Sequence, residues 1–168
     1  MGRSLWILGA LATVGIIVTA VFGFGLRSPG DPGMPRHIIA ALASTLPLML
    51  AHSWIFLYLL GTGRVIRSAV REGGLDPSPL ARSRRLRRIC YPVILLAAAL
   101  VLATFLVGGA VAAKGVPPWV HQALFWAAIA VQAGALWIEW RSLAENESLL
   151  VEVDRRLVAA APVSAAGA

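Results

Sequence analysis

The sequence predicts an all-α integral membrane protein, a four-transmembrane-helix bundle with a cytoplasmic amphipathic C-terminal helical extension. Three observations predict it. First, 58% of the 168 residues are hydrophobic and only 14% charged, with a mean hydropathy of +0.77. A soluble domain carries roughly 45–50% apolar and about 25% charged residues, so a chain this short cannot bury the excess and must show it to lipid. Second, the apolar residues fall into four blocks, each long enough, at about 1.5 Å per residue, to cross a hydrocarbon layer of about 30 Å. Third, fourteen of the fifteen basic residues are arginines, and eight of those lie between Arg64 and Arg88, between two apolar blocks.

The first block, residues 5–26, carries no charge. It exceeds the 7–15 apolar residues of a signal peptide and no A-x-A-like site follows, so it reads as a retained span. Gly15, Thr19 and Gly23 recur at every fourth position and form a small-residue stripe that lets another helix approach. Residues 27–36, RSPGDPGMPR, hold three prolines and two glycines and predict an irregular connection. The second block, 37–63, contains Pro47, which removes a backbone hydrogen bond and predicts a kink.

Gly61-Thr62-Gly63-Arg64 ends that block and reads as a helix-to-loop hinge, or as a phosphate contact. The basic loop 64–88 begins as a short helix with Arg64, Arg67 and Arg71 on one face and Val65, Ile66 and Val70 turned away. Gly73-Gly74 stops it, and Asp76-Pro77-Ser78-Pro79 forms a turn. The third block is 89–113 and the fourth 119–138, joined by a short Lys114–Pro118 turn. Glu139 reads as the end of the fourth block. Beyond it, Leu143, Leu150, Val153 and Leu157 mark one stripe of a stalk helix, with Glu145, Glu147, Glu152 and Asp154 on its other faces. The chain thus divides into a membrane domain, 1–142, and a stalk with a frayed tail, 143–168.

Basic bias sets orientation, which puts loop 64–88 and both termini in the cytoplasm, in keeping with a bacterial inner membrane. The loop and the acidic stalk then share a side and are expected to pair electrostatically, or else to be solvated or to meet anionic lipid. Arg64, Arg67, Arg71, Arg84, Arg85, Arg87 and Arg88 are the candidate contacts to lipid headgroups or a partner. Trp6, Trp137 and Trp140 are placed at the inner interface and Trp119 at the outer, with Trp54 and Trp126 packed between helices. No aromatic–basic interleaving suggests nucleic acid. The single cysteine, Cys90, excludes an intrachain disulfide.

No Asp, Glu, Lys or Arg falls inside the four blocks as drawn, which argues against pumps and ion-coupled carriers, since these need intramembrane charge. Nor is there a Ser-His-acid set, an HExxH or a CxxC, so the chain leans away from enzymes, with no catalytic residue and no metal site assigned. What remains is His37 and His121, each opening a span at a shared depth, and His52, about 22 Å deeper along its helix. Gln132 lies within reach of His52 if the second and fourth helices are neighbours. Three readings follow. One is a non-catalytic membrane subunit or scaffold, working with a partner protein or as a homo-oligomer through the small-residue stripes and the stalk. Another is the anchor of an electron-transfer complex, binding haem b or quinone at His52, or haem b between His37 and His121; the same two histidines could instead grip a metal ion, with Asp31 offering a carboxylate. The last is a small-solute carrier without ion coupling, with a polar cavity near Thr45, His52, Thr104 and Gln132.

Overall fold

Four helices account for almost all of residues 2–26, 28 and 30–160, which are the residues described by the computed structural model. They are α1 (Gly2–Phe24), α2 (Met34–Glu72), α3 (Ser78–Ala112) and α4 (Pro118–Ala160). No strand occurs among them, and all four helices are long and apolar enough to cross a membrane. α1 packs chiefly on α2 and α3 chiefly on α4, so the bundle is two antiparallel hairpins set side by side.

Apolar side chains face both ways, as a lipid-facing bundle requires. Leu48, Ala51, Ile55, Cys90, Ile94, Ala97 and Ala135 are buried, while Leu11, Ile39, Leu46, Leu95 and Leu106 are well exposed. The stripe on α1 is consumed inside the chain. Gly9 lies against Ala51, Gly15 against Ser44 and Gly23 against His37, all on α2.

The segment expected to be a basic loop is mostly helix. α2 runs on to Glu72, α3 begins at Ser78, and only 73–77 turn between them. Gly74 takes φ +60°, a backbone conformation glycine adopts without a Cβ clash. The expected hinge at Gly61–Arg64 is absent, because α2 passes through it unbroken. Thr62 donates to the Tyr58 carbonyl, and the Arg87 guanidinium of α3 lies directly over Gly63 where any side chain would clash. Glycine here makes room for a crossing arginine rather than a bend.

α2, α3 and α4 therefore extend together past α1 as a three-helix bundle. Its core is Ile66, Val70, Leu86, Leu149 and Val153. Leu149, fully buried, lies just off the stripe read from sequence, and Leu150 packs at the edge. The expected pairing of stalk and basic segment is present. Arg82 bonds Glu152 at 2.8 Å and meets Glu145 at 3.5 Å, and Arg156 bridges Glu152 and Asp76. These pairs are exposed and contribute about 0–1 kcal/mol each, so the apolar core holds the extension. Leu149→Ala should lower unfolding stability in detergent by about 2–5 kcal/mol. A loss under 1 kcal/mol would show that the extension is not packed this way. At the tip, hydrogen bonds from Ser78 hold the Asp76 carboxyl below the usual carboxylate range, with Arg156 adding to the effect. Asp76 thus favours the folded tip above the ordinary carboxylate pKa, and that small contribution is lost as pH falls below its lowered value.

Two tryptophans correct the sequence reading. Trp54 and Trp126 are 46% and 59% exposed, so they face outward rather than between helices. Trp126 stacks with Phe24 of α1. Trp6 does pack within the bundle, donating to the Leu136 carbonyl and lying against Trp140. Arg27 and the tail from 161 lie outside the described residues.

Candidate functional site

Two constellations of polar side chains occupy opposite ends of the apolar bundle. At the end bearing the α1–α2 and α3–α4 connections, His37 of α2 faces His121 of α4. Their ring centres lie 6.4 Å apart and their planes cross at 88°. His37 Nδ1 is 2.9 Å from the Thr19 carbonyl, and His121 Nδ1 is 3.0 Å from the Thr104 carbonyl. A carbonyl only accepts, so each Nδ1 carries a proton and donates it, which leaves Nε2 as the nitrogen not engaged by the backbone. A hydrogen bond fixing one ring nitrogen while the other is left basic is the arrangement found behind metal-ligating histidines.

The two half-sites are copies. Thr19 and Gly23 on α1 recur as Thr104 and Gly108 on α3, and His37 recurs as His121. Both threonines bond the carbonyl four residues earlier, Gly15 and Leu100. A Cβ on Gly23 would lie 2.8 Å from His37 Cε1, and one on Gly108 would lie 2.9 Å from His121 Cε1. Real Cβ atoms do not come so close, so each glycine lets an imidazole lie flat against the neighbouring helix. Buried positions repeat too, Ala51 matching Ala135 and Leu59 matching Leu143. The two hairpins thus repeat at these positions, and the histidine pair joins the two repeats. The signal was present in the sequence as Thr-x-x-x-Gly followed by His after thirteen residues in one half and twelve in the other. Gly23→Val and Gly108→Val should each push the facing ring away, most visibly as a changed proton shift for that histidine in NMR. An unmoved resonance would contradict the packing.

Among the described residues, no group of three His, Cys, Asp or Glu side chains gathers to hold a bare metal ion. Asp31 accepts from the Gly33 N–H at 2.8 Å, within its own turn.

The second constellation lies about 22 Å along α2 from His37. His52 is 2% exposed and Glu139 1%. His52 Nδ1 is 2.6 Å from Glu139 Oε1, and His52 Nε2 is 3.0 Å from Gln132 Oε1. The anticipated approach of His52 and Gln132 is therefore present. Both His52 nitrogens are occupied, which leaves none for an iron or a quinone carbonyl in this arrangement. Gln132 is wholly buried, and its amide donates to Thr13, which donates to the Gly9 carbonyl. Glu139 corrects the sequence reading most sharply. α4 runs on through it, as the sequence suggests, but its carboxylate is buried and turned into the bundle toward His52 rather than left at a polar boundary. The seven arginines taken as lipid or partner contacts lie on the extension. Arg64, Arg67, Arg71, Arg84, Arg85 and Arg88 are exposed, and Arg87 turns inward over Gly63.

Comparison with known proteins supplies no relative, since no family model, no curated protein and no solved structure matches the chain.

Proposed function

We propose that the protein is a four-span membrane electron carrier that binds one haem b between His37 and His121, as the anchor of a redox complex. One observation carries this reading, the facing histidine pair. A metal ion about 2.0–2.1 Å from each ring nitrogen lies about 3.2 Å from each ring centre, so two imidazoles on opposite sides of one ion have centres about 6.4 Å apart. The separation found is 6.4 Å, with both Nδ1 atoms tied back to backbone carbonyls, so that Nε2 is the nitrogen each ring has left to ligate. Two imidazoles at this separation, without further side-chain donors gathered beside them among the described residues, suit an ion that brings its own equatorial ligands, and a porphyrin does so. Phe24, Phe125 and Trp126 supply flat apolar surface at this end. Arg36 and Lys114 provide cations for haem carboxylates.

With the basic extension in the cytoplasm, as the arginine bias favours, the haem lies near the opposite face. The scaffold reading has less support, because the α1 stripe that suggested it is occupied by α2. The carrier reading has less support too, because His52 and Gln132 are bonded to one another and buried.

The test is expression in a haem-replete host, purification in mild detergent and a reduced-minus-oxidised spectrum. One haem per chain with sharp Soret and α bands is expected. A folded, helical and colourless protein that takes up no added haem would overturn the reading.

A further inference from the structure

The structure leaves one buried charge that a haem at the other end does not use, the carboxylate of Glu139. The hydrogen bonds around it fix almost every proton. The Thr13 hydroxyl donates to Gly9 O, so it accepts from the Gln132 amide nitrogen. The Gln132 oxygen therefore faces His52, and His52 Nε2 must be the donor. One proton is left to lie between His52 Nδ1 and Glu139 Oε1, on either atom. Glu139 Oε2 has no partner at all, although it is fully buried. A buried carboxylate oxygen without a donor is costly, and a proton bound there relieves that cost.

The surroundings give that proton a direction. From Glu139, Ser142 and Asn146 continue the same face of α4 toward the basic extension, both at most 4% exposed. Ser142 is bonded to Cys90 of α3. The Asn146 side-chain oxygen lies 3.1 Å from the Thr62 hydroxyl of α2, and its Nδ2 makes no hydrogen bond among the described residues. In the opposite direction the stripe turns apolar beyond Gln132, where Ala12, Leu48, Val101 and Ala128 close the core.

We propose that His52 and Glu139 form a proton-binding site, loaded from the basic end past Asn146 and Ser142 and sealed from the histidine end by this apolar layer. The incoming proton goes to Glu139 Oε2. The shared proton then rests on His52 Nδ1, and the pair passes from net neutral to singly positive. No bond other than O–H and N–H changes. The groups facing the pair are Gln132 and Ser142 on α4, Cys90 on α3 and Thr13 on α1. Toward the extension, the Arg87 guanidinium lies over Gly63. The proposal does not depend on haem.

Infrared spectroscopy of the full chain in proteoliposomes tests it, with pH titrated and jumped. A carbonyl band from a buried carboxylic acid should grow as pH falls, shift in D2O and vanish in Glu139→Gln. Should that variant not fold, Glu139→Asp keeps the acid and should move the band. Asn146→Leu should slow the band's appearance after a pH jump at least tenfold without moving its midpoint. A Glu139 carboxyl that never protonates across the stable pH range would make the pair a fixed ion pair and overturn the site. An unchanged rate in Asn146→Leu would overturn the route.

Discussion

His37→Ala and His121→Ala should each bring bound haem from one per chain to less than a tenth, with helix content unchanged. The expectation is symmetrical because the site is. Each half supplies one nitrogen, one carbonyl that fixes its tautomer and one glycine that makes room for its ring. Removing either ring would leave the proposed haem with one imidazole instead of two, at a half-buried end of the bundle. His121→Met is the informative companion. A thioether still ligates, so haem should be retained and its reduction potential should rise. The measurement is the haem-to-protein ratio and potential of each purified variant. If one alanine variant keeps full haem and the other loses it, the pair does not act as two equivalent ligands.

The second large effect is on stability. His52→Ala should destabilise the folded protein by about 3–5 kcal/mol, because it leaves the buried Glu139 without its imidazole. The double variant His52→Leu with Glu139→Leu should recover most of that loss, since replacing a buried ionic pair by apolar side chains of similar bulk is often neutral or better. Unfolding in detergent, followed by helical circular dichroism, reads both. A His52→Ala loss below 1 kcal/mol, or a double variant no more stable than the single, would mean that the pair is solvated rather than buried.

Membrane character was legible because hydropathy and charge distribution are summed over long blocks, so small boundary errors do not matter. The four helices follow from that alone. Boundaries were less legible. Residues 64–72 and 78–88 are helical because Ile66, Val70 and Leu86 find a shared core with Leu149 and Val153, and a partner on α4 cannot be read from the arginine-rich segment itself. Gly61 and Gly63 look like a hinge in isolation, and only the crossing of Arg87 explains the second. The burial of Glu139 was illegible for a related reason. At the end of an apolar block a carboxylate reads as the membrane boundary, and nothing local reveals that His52, 87 residues away, will face it. The histidines were found by type and depth, whereas the duplication that pairs His37 with His121 becomes visible once Thr19 and Thr104 are seen in equivalent places.

The electron paramagnetic resonance spectrum of the oxidised, haem-loaded protein tests the central claim most directly. Two imidazoles crossed at 88° and ligating one iron, as proposed, predict a low-spin ferric signal of strong anisotropy, lost on His37→Ala or His121→Ala. A high-spin signal, or a low-spin signal that survives both substitutions, would contradict ligation by this pair.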